Sequence, residues 1–396
     1  MADRAERIEV LIVGAGVIGM SIAWRAAQRG LAVTVLERGD AGCGTSRVAA
    51  GMLAPVSEAE FGTAARRLLE LNRRSAAMWP TFAAELESAA DTAVGLLRSG
   101  TLLVAGDEDE AAALEREREL RESLGLAVVR LRPSQARELE PALAPTVRLA
   151  LEAPEDHSVD PRLVLAALRR ACAQAGVKLR EHAGVAGLQL EGSHGVVGVR
   201  LESGELVEGE RVVLAAGSWT ASVNGAVPVR PVKGQIMRLR DPAGPGLLGR
   251  VLRFPGGYIV PRGDGRYVLG GTVEERGFEL APTAGGIYEL LRDAHEIVPG
   301  ISEWQIEELE AGLRPGTPDN SPAIGPGDVE GLWWATGHYR SGILLAPLTA
   351  DVLSGLLSGE LKTSDREAQE LLRTCDPQRF SSSGGPPGAR SMEAVG

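Results

Sequence analysis

Hydrophobic positions near the start of the chain change their period twice within thirty residues. Ile8 to Val13 is a short run rich in apolar, β-branched residues, which is typical of a buried strand. From Val17 to Arg29 apolar residues recur at helical spacing, and Gly30 follows as a suitable helix C-cap. Ala32 to Leu36 is again a short apolar run. The pattern predicts a strand, a helix and a second strand parallel to the first.

The same analysis predicts elements along the rest of the chain. Helical spacing indicates helices over 63–90, 107–124, 132–141, 161–176 and 285–298. Ser134 and Asp160 are the expected N-caps of the third and fourth of these helices. Strand-like runs occupy 183–216 and 226–275, with a hairpin around Gly263-Asp264-Gly265. Residues 331–359 have the pattern of a strand, a glycine-rich loop and a helix.

Three glycines follow the first strand at the spacing of a dinucleotide-binding turn. Gly14 allows a tight turn, Gly16 lets the backbone approach a pyrophosphate, and Gly19 lets the helix pack against the strand. Glu37 ends the second strand, where a carboxylate accepts hydrogen bonds from a ribose diol. A glycine-rich turn in an ordinary βαβ unit would leave the placement of Glu37 unexplained. The motif therefore predicts a site for an ADP-containing cofactor.

Later segments return to this first unit. The run "RVVLAAGSW" (211–219) is an apolar strand that we expect beside the first glycine turn, and 331–359 is a second turn that faces the cofactor. A nicotinamide dehydrogenase usually keeps its dinucleotide fold contiguous. An interleaved arrangement favours FAD, because its ADP and isoalloxazine ends lie far apart.

Composition narrows the partners. The 396 residues are enough for two or three domains, and the net charge of −11 without a basic cluster argues against nucleic acid or an anionic membrane surface. Cys43, Cys172 and Cys375 show no CxxC spacing, so we expect neither a disulfide nor a metal site. The longest apolar stretch is interrupted by Pro347 and Asp351, and the N-terminal segment has mixed charge. We expect no membrane span and no signal peptide, and a cytoplasmic location.

Six stretches together resemble the glycine oxidases of the D-amino-acid oxidase family of FAD-dependent oxidoreductases, the ThiO type associated with thiamine synthesis. They are "VGAGVIGMSIAWRAAQRG", "GTSRVAAGMLAP", "PVKGQIMRL", "GGYIVPR", "AGLRPGTPDNSPAIG" and "GHYRSGILLAPLTA". The resemblance runs from about residue 7 to about residue 360, and the last two stretches are more specific than the glycine motif.

The resemblance implies an α/β fold with two domains. One is a discontinuous, Rossmann-like FAD-binding domain, and the other is a substrate-binding domain of mostly antiparallel β-sheet plus helices. We expect the FAD-binding domain over 1–80, 150–222 and 326–375, and the substrate-binding domain over 81–149 and 223–325. Residues 376–396 are rich in serine, glycine and proline, and we expect them to be disordered.

The resemblance also implies which residues hold noncovalent FAD. Glu37 and Arg38 lie at the ribose, the small residues of "GTSRVAAGML" lie at the pyrophosphate and flavin, and the Val185 backbone meets the adenine. The alternative for the second of these segments is an ordinary surface loop. The "GHYRSGIL" segment lies under the pyrimidine side of the flavin, where a helix N-terminus stabilises negative charge. The full set is Gly14, Gly16, Val17, Ile18, Gly19, Glu37, Arg38, Thr45, Ser46, Ala50, Gly51, Met52, Val185, Gly217, His338, Tyr339, Arg340, Ser341, Gly342, Ile343 and Leu344.

Three residues are the implied substrate site. Arg314 matches the arginine that binds the substrate carboxylate as a bidentate pair, Arg340 a second substrate residue, and Tyr258 a tyrosine whose hydroxyl lines the pocket. The alternatives are solvated surface ion pairs for the arginines and cross-strand packing for the tyrosine. Glycines flank both arginines in apolar surroundings, which favours the functional interpretation.

In this family, hydride passes from the substrate α-carbon to flavin N5 without a side-chain acid or base. We therefore expect no catalytic side chain, and we expect His338 to contact the flavin through its backbone. With O2 as acceptor, the products would be an imine, then glyoxylate or a keto acid, with ammonia and H2O2.

The sequence departs from the glycine oxidase pattern in the pocket. Gly256 replaces a histidine of some relatives, and Val273 replaces a methionine that narrows the pocket. Both changes are to smaller residues, so a somewhat larger amine is expected to fit. No cysteine lies near Arg314 in the sequence, so FAD is expected to be noncovalent.

Other hypotheses stay open from the sequence alone. One is a dehydrogenase of the same fold that passes electrons to a quinone or a carrier protein. Another is a non-catalytic FAD-binding subunit, which predicts the loss of the carboxylate-binding arginine. A third is a nicotinamide dehydrogenase, which a flavin absorption spectrum would exclude. The preferred amine and a homo-oligomeric state are open as well.

Overall fold

Within residues 8–59, 63–191 and 195–381, which the computed structural model describes, the chain forms nineteen strands and ten α-helices. The strands are β1 (Val10–Val13), β2 (Val33–Leu36), β3 (Met52–Leu53), β4 (Thr101–Ala105), β5 (Val129–Leu131), β6 (Leu149–Ala153), β7 (His157–Ser158), β8 (Lys178–Arg180), β9 (Val185–Glu191), β10 (Gly195–Leu201), β11 (Leu206–Glu208), β12 (Arg211–Leu214), β13 (Arg230–Arg240), β14 (Val251–Phe254), β15 (Gly257–Pro261), β16 (Arg266–Gly270), β17 (Gln305–Gly316), β18 (Ala323–Pro326) and β19 (Leu332–Thr336). The helices are α1 (Val17–Gln28), α2 (Thr45–Val48), α3 (Thr63–Ala90), α4 (Glu108–Ser123), α5 (Pro133–Leu139), α6 (Pro161–Gln174), α7 (Thr220–Val223), α8 (Ala284–Ile297), α9 (Gly342–Ser358) and α10 (Arg366–Thr374).

A six-stranded sheet forms the first layer, in the order β18-β19-β12-β1-β2-β8. Its central strands are parallel, and only β18 runs antiparallel to its neighbour. Side chains of β1 alternate between its two faces: Val10 and Ile12 join the core under α1, α6 and α9, whereas Leu11 and Val13 join the core under β9–β11. Both faces of the sheet are therefore buried, which explains the continuous apolar run of β1.

A second sheet of eight strands has the order β17-β13-β16-β15-β14-β4-β6-β5. All its neighbouring pairs are antiparallel except β14 with β4. One face packs against α8, and there Tyr267 stacks on Trp304 with ring centroids 4.1 Å apart. The expected fold class, a Rossmann-like part with a second, mostly antiparallel sheet, is confirmed.

Most of the predicted elements are confirmed, and two details are wrong. Helix α5 begins at Pro133, so its N-cap is Arg132 and not Ser134; the Gln135 side chain accepts from the Arg132 N–H at 3.0 Å. Part of the C-terminal segment expected to be disordered is ordered: Pro377–Phe380 form a 3-10 turn, and Arg379 pairs with Asp319 at 2.9 Å. The remainder of that prediction, residues 382–396, lies outside the described residues.

We propose that the two sheets mark two domains, with boundaries that differ from those expected. Helix α3 packs over its length with α6 and α9, so the first boundary lies after 90 rather than 80. Strand β6 pairs with β4, which moves the boundary expected at 150 to the end of that strand. Strand β18 pairs with β19, which moves the last boundary to the start of β18.

None of the helices in the described ranges has the length and apolar character that a membrane span requires. The same ranges contain no cluster of three or more His, Cys, Asp or Glu side chains that could coordinate a metal ion.

Helix α1 approaches the glycine turn after β1 so closely at Gly19 that any residue with a Cβ would clash with the backbone. A Cβ at Gly19 would lie 1.9 Å from the carbonyl oxygen of Gly14, a backbone atom that no rotamer change can move. Gly19→Ala should therefore destabilise the fold by about 2 kcal/mol or more, as overpacking does. Thermal unfolding measures the change.

Gly187→Ala is the matched control. This glycine lies on β9, where a Cβ would meet nothing within 4 Å. Equal melting temperatures for the Gly19 and Gly187 variants would contradict the close packing of α1 on β1.

Candidate active site

A cavity of about 1100 Å³ is lined by residues of both sheets and of the loops between them. It begins at the glycine turn after β1 and ends among residues of β13, β15 and β17. All the residues expected to bind cofactor or substrate line it, with three exceptions: Gly19, Ser341 and Leu344. Gly19 packs against Gly14 instead, Ser341 is the N-cap of α9, and Leu344 is buried with its carbonyl oxygen bonded to Trp79 Nε1 at 3.0 Å.

The N-terminal end of the cavity is built from backbone. Gly14 has φ +106°, and a Cβ there would lie 2.5 Å from the Ala215 carbonyl oxygen on the adjoining segment. The glycine turn leads into α1, whose first residues line the cavity, and Ser46 Oγ accepts from the Val17 N–H at 3.1 Å. A helix N-terminus reached by glycines is a favourable site for phosphate groups.

Glu37 is fixed at the same end by two backbone amides. Its Oε2 accepts from the Ala15 N–H at 2.8 Å and its Oε1 from the Gly39 N–H at 3.1 Å. An ionised carboxylate has about four lone-pair positions, so it retains capacity for the hydroxyls of a ribose. The sequence-based role of Glu37 is therefore compatible with its geometry.

Arg38 and Trp219 form a wall that the sequence did not reveal. The Arg38 guanidinium lies 3.7 Å from the Trp219 ring centroid, and the Phe278 ring lies 5.6 Å from the Trp219 ring, centroid to centroid. Trp219 follows β12, as part of the "AAGSW" segment, and Phe278 belongs to the connection between β16 and α8. The sequence signal that could have revealed this contact is the aromatic residue Trp219 in the segment that follows β12.

The small-residue loop "GTSRVAAGML" (44–53) is held in place by hydrogen bonds to the other sheet. Thr45 Oγ1 donates to the Leu313 carbonyl oxygen at 2.6 Å. The Arg262 guanidinium, which is buried, donates to the carbonyl oxygens of Ala50 at 2.8 Å and Val159 at 3.0 Å. Burial lowers the pKa of Arg262 to about 10, which leaves it charged at neutral pH. This small-residue loop is therefore a fixed wall of the cavity rather than a free surface loop.

The far wall is the turn between β19 and α9. Tyr339 N–H donates to the Pro315 carbonyl oxygen at 3.0 Å, which ties this turn to the end of β17. His338 is buried, and its Nε2 lies 3.2 Å from Thr349 Oγ1. Burial lowers the pKa of His338 to about 3. A neutral imidazole of such low basicity is unsuited to act as a general base near neutral pH.

Arg314 and Tyr258 meet where the second sheet lines the cavity. Arg314 Nη1 donates to the carbonyl oxygens of Thr272 at 2.9 Å and Lys233 at 3.3 Å. The Tyr258 hydroxyl bonds to the same guanidinium; burial raises the pKa of that hydroxyl, and the positive charge of Arg314 opposes the rise. The guanidinium keeps donors beyond these contacts, as binding a carboxylate requires.

Glycines make room for these two side chains. A Cβ at Gly234 would lie 2.3 Å from Arg314 Nη1, and a Cβ at Gly270 would lie 2.6 Å from the Tyr258 hydroxyl. Gly234 lies within the "PVKGQIMRL" stretch, but its function becomes evident only when β13 pairs with β17. Arg340 differs from Arg314: it is exposed, and its guanidinium lies 5.3 Å from the Tyr339 ring centroid.

The residues present fit FAD. The cavity is at the upper end of the usual range for ligand sites, of roughly 300–1,000 Å³, which suits a large dinucleotide. It offers a phosphate-binding helix terminus at one end and a second helix N-terminus, that of α9, at the other. An arginine with free donors lies beside the second terminus, where a carboxylate-bearing substrate would meet the reactive ring. Such an arrangement defines a flavin-dependent oxidoreductase.

Comparison with known proteins gives the family. Residues 9–356 match the family model of FAD dependent oxidoreductases, and the chain belongs to this family. It is 36% identical to the glycine oxidase of Geobacillus kaustophilus (strain HTA426) over 371 residues, which are 92% of this chain and 95% of that protein. The crystal structure of the G. kaustophilus glycine oxidase superimposes with a TM-score of 0.85 at 34% identity, covering 92% of this chain and 98% of that one.

A second relative is longer than this chain. The bifunctional protein ThiO/ThiG of Synechocystis sp. is 36% identical over 400 residues, which cover 98% of this chain but 56% of that protein. The chain therefore spans about half the length of this relative.

The position of Glu37 leads to a prediction about cofactor retention. Glu37→Ala should raise the dissociation constant of FAD at least tenfold, because the ribose loses an ionised acceptor. Glu37→Gln should have a smaller effect, because an acceptor oxygen remains. Equilibrium titration of the apoprotein with FAD measures both.

Glu9→Ala is the control for that experiment. Glu9 Oε2 also accepts a backbone N–H, that of Ala32 at 2.9 Å, but it does not line the cavity. If the Glu37 and Glu9 variants bind FAD equally well, Glu37 does not hold the ribose.

His338 generates a prediction about pH. The pKa of His338 is about 3 in the folded chain, against 6.5 for an ordinary histidine in the unfolded chain. Between these pH values the unfolded chain binds a proton that the folded chain does not. The free energy of unfolding therefore decreases as the pH falls from above 6.5 towards 3. From about pH 7.5 to about pH 5 this contribution amounts to about 2 kcal/mol. His338→Gln keeps a partner for Thr349 and should show a flatter stability profile, measured by denaturant unfolding at several pH values.

The same variant tests the absence of a side-chain base. The flavin bound to the His338→Gln variant should be reduced by an amino-acid substrate at a rate within about threefold of the rate in the parent. Loss of a side-chain general base would slow this reduction roughly a hundredfold or more. Two results would contradict this account of His338. One is that the free energy of unfolding depends on pH in the same way in the variant and the parent. The other is that flavin reduction in the variant is a hundredfold slower.

Proposed function

We propose that this chain is an FAD-dependent oxidase of glycine or of another small amino acid or secondary amine. Hydride transfer to the flavin would give an imine, which water converts to glyoxylate or a keto acid and ammonia. Oxygen would reoxidise the flavin and form H2O2. By analogy with its ThiO-type relatives, the chain would serve thiamine biosynthesis.

The observation that carries this proposal is the position of Arg314. It lines the same cavity as the glycine turn and Glu37. Its guanidinium donates to main-chain oxygens, and within residues 8–59, 63–191 and 195–381 it forms no ion pair with a carboxylate. A structural arginine is normally neutralised by an acidic partner. An arginine held by neutral acceptors leaves its charge for a ligand, and a carboxylate is the ligand whose geometry it matches.

Bound FAD supplies a hydride acceptor, the flavin N5. The residues of the chain bind and orient the substrate against it. Arg314 takes the carboxylate, and the Tyr258 hydroxyl, adjacent to that guanidinium, supplies a further hydrogen bond to the same group. The neutral His338 holds the turn before α9 through Thr349, and the amines of substrates enter deprotonated. Rate enhancement would therefore come from orientation.

FAD is proposed to be noncovalent. Cys375 is fully buried in the core under α9 and α10, and Cys172 is buried beneath α1. Cys43 lies in the glycine-rich segment before α2, at the phosphate end of the cavity and away from the flavin end. No cysteine of the described residues is therefore placed near Arg314 for linkage to the ring.

Two positions support a pocket wider than that of a strict glycine oxidase. Gly256 and Val273 both line the cavity. The Asp293 carboxylate occupies the space beside Gly256, 2.2 Å from where a Cβ would lie, so that the width gained there is partly filled. Val273 is more than half exposed, and the additional room for a larger amine is proposed to lie beside it.

An alternative is a dehydrogenase of the same fold. The L-proline dehydrogenase of P. horikoshii superimposes with a TM-score of 0.79 at 23% identity, a likeness that concerns the fold alone. Stoichiometric oxygen consumption with the amine substrate supports the oxidase. Turnover with a quinone but not with oxygen supports the dehydrogenase. An FAD-loaded protein that no amine reduces supports a non-catalytic subunit.

Replacing Arg314 tests the proposed function. Arg314→Ala leaves a desolvated carboxylate unpaired, which costs about 2–5 kcal/mol, or roughly 30-fold to several thousandfold in the second-order rate of flavin reduction by glycine. Arg314→Lys should recover only part of that rate, because an ammonium lacks the planar fork. Anaerobic stopped-flow reduction gives these rates.

Arg240→Ala is the matched control. Arg240 lies on the same sheet, is exposed, and pairs with Glu307 away from the cavity. If Arg314→Ala and Arg240→Ala are reduced at the rate of the parent by every amino acid tested, Arg314 does not bind the carboxylate.

A further inference from the structure

Lys233 is a fully buried lysine that the proposed chemistry does not use. It lies on β13, one residue before Gly234, and its side chain does not line the cavity. Removing an ammonium from water is costly unless the fold provides close polar partners. The polar contacts of a buried lysine therefore hold the segments that supply them in place.

Both partners of the ammonium belong to one segment, residues 271–283 between β16 and α8, which we call the strap. Lys233 Nζ donates to the Ala281 carbonyl oxygen at 2.6 Å and lies 3.9 Å from Glu274 Oε2. The strap forms no regular helix or strand beyond a single bridge, in which Lys233 and Glu274 exchange two backbone hydrogen bonds of 2.9 Å. Lys233 thus contacts the strap through both its backbone and its side chain.

Gln235, two residues along β13, strengthens the same attachment. Its side-chain oxygen accepts from the Thr283 N–H at 2.7 Å, and its Nε2 donates to Glu274 Oε1 at 2.7 Å. The backbone N–H of Gln235 donates to Thr272 Oγ1 at 2.9 Å. The strap is therefore anchored near its start, at Thr272 and Glu274, and at its end, at Ala281 and Thr283.

The strap carries one of the oxygens that orient Arg314, and β13 carries the other. Arg314 Nη1 donates to Thr272 O, in the strap, and to Lys233 O, in β13. Any movement of the strap away from β13 would separate these two acceptors. A bidentate arginine must be held within about 0.5 Å and 10–20° of its productive geometry to bind a planar carboxylate well.

We propose that Lys233 is a positioning residue: by holding the strap against β13, it fixes the two carbonyl oxygens that aim Arg314 at the substrate carboxylate. This inference rests on the proposed function, and it adds a residue outside the cavity to the determinants of carboxylate affinity. The side chain of Lys233 acts through Arg314 and touches neither substrate nor cofactor.

The test uses the FAD-loaded enzyme and sodium acetate, a carboxylate without an amine. Titration followed by the visible flavin spectrum gives the dissociation constant of acetate. Lys233→Met should raise it at least tenfold, and Lys233→Gln, which keeps a donor for Ala281 O, should raise it two- to fourfold. FAD content and the spectrum of the free enzyme should match the parent. Lys362→Met, at an exposed lysine far from the strap, should change nothing.

A coupling measurement separates positioning from general structural support. In an Arg314→Lys background, adding Lys233→Met should change the second-order rate of reduction by glycine less than threefold, because the fork to be aimed is gone. Equal effects in both backgrounds would overturn the proposal. So would a Lys233→Met protein that loses thermal stability but, with FAD bound, keeps the acetate affinity of the parent.

Three further outcomes separate the inference from the proposed function. If Lys233→Met does not fold, Glu274→Gln, which weakens the same attachment, should raise the dissociation constant of acetate in the same direction, and an unchanged value would contradict the inference. If Arg314→Ala itself leaves acetate binding intact, the proposed function fails. If Arg314→Ala weakens acetate binding and the Lys233 variants do not, only the inference about Lys233 fails.

Discussion

The carbonyl oxygen of Leu313 accepts hydrogen bonds from two hydroxyl groups, Thr45 Oγ1 at 2.6 Å and Ser218 Oγ at 2.8 Å. Thr45 begins α2 in the small-residue loop 44–53, Ser218 follows the returning strand β12, and Leu313 lies on β17 of the other sheet. Leu313 is fully buried, so leaving this oxygen unpaired would carry a full desolvation cost. This one oxygen therefore ties two segments beside the first sheet to β17, immediately before Arg314 in the chain.

Buried arginines complete the connection between the sheets. Arg262 is fixed on the carbonyl oxygens of Ala50 and Val159, and Arg238 Nη2 donates to the Arg47 carbonyl oxygen at 2.8 Å. Arg162, which is partly exposed, adds ion pairs to Glu308 and Glu310 on β17. Leaving a donor of the buried Arg262 or Arg238 guanidinium without its acceptor would cost roughly 1–3 kcal/mol or more, because the group is desolvated and charged. The loop 44–53 is consequently fixed against the second sheet through its own main-chain oxygens.

The sequence predicted the parts of the fold and site that depend on local spacing. Gly14 and Glu37 are recognisable because a strand, a turn and a helix follow each other within thirty residues. Strand β17 was not predicted, because it is an edge strand whose first half carries exposed glutamates and therefore lacks the apolar alternation of a buried strand. Arg314 was identified only by resemblance, and its setting could not be derived. Its acceptors, Thr272 O and Lys233 O, are main-chain atoms 42 and 81 residues away, which carry no side-chain signature. The role of Gly234 and the contact of Arg38 with Trp219 escaped for the same reason, since both arise from long-range pairing.

The central claim is that the carboxylate of a small amino acid is bound beside the flavin by this chain. Anaerobic mixing of the FAD-loaded protein with matched amines tests it most directly. The panel contains glycine, sarcosine and D-alanine, with methylamine, dimethylamine and ethylamine as their counterparts without a carboxylate. The account predicts that amino acids bleach the flavin absorption and that their counterparts do so at least tens of times more slowly at equal concentration. Equal bleaching by both sets, or bleaching by neither, would contradict it.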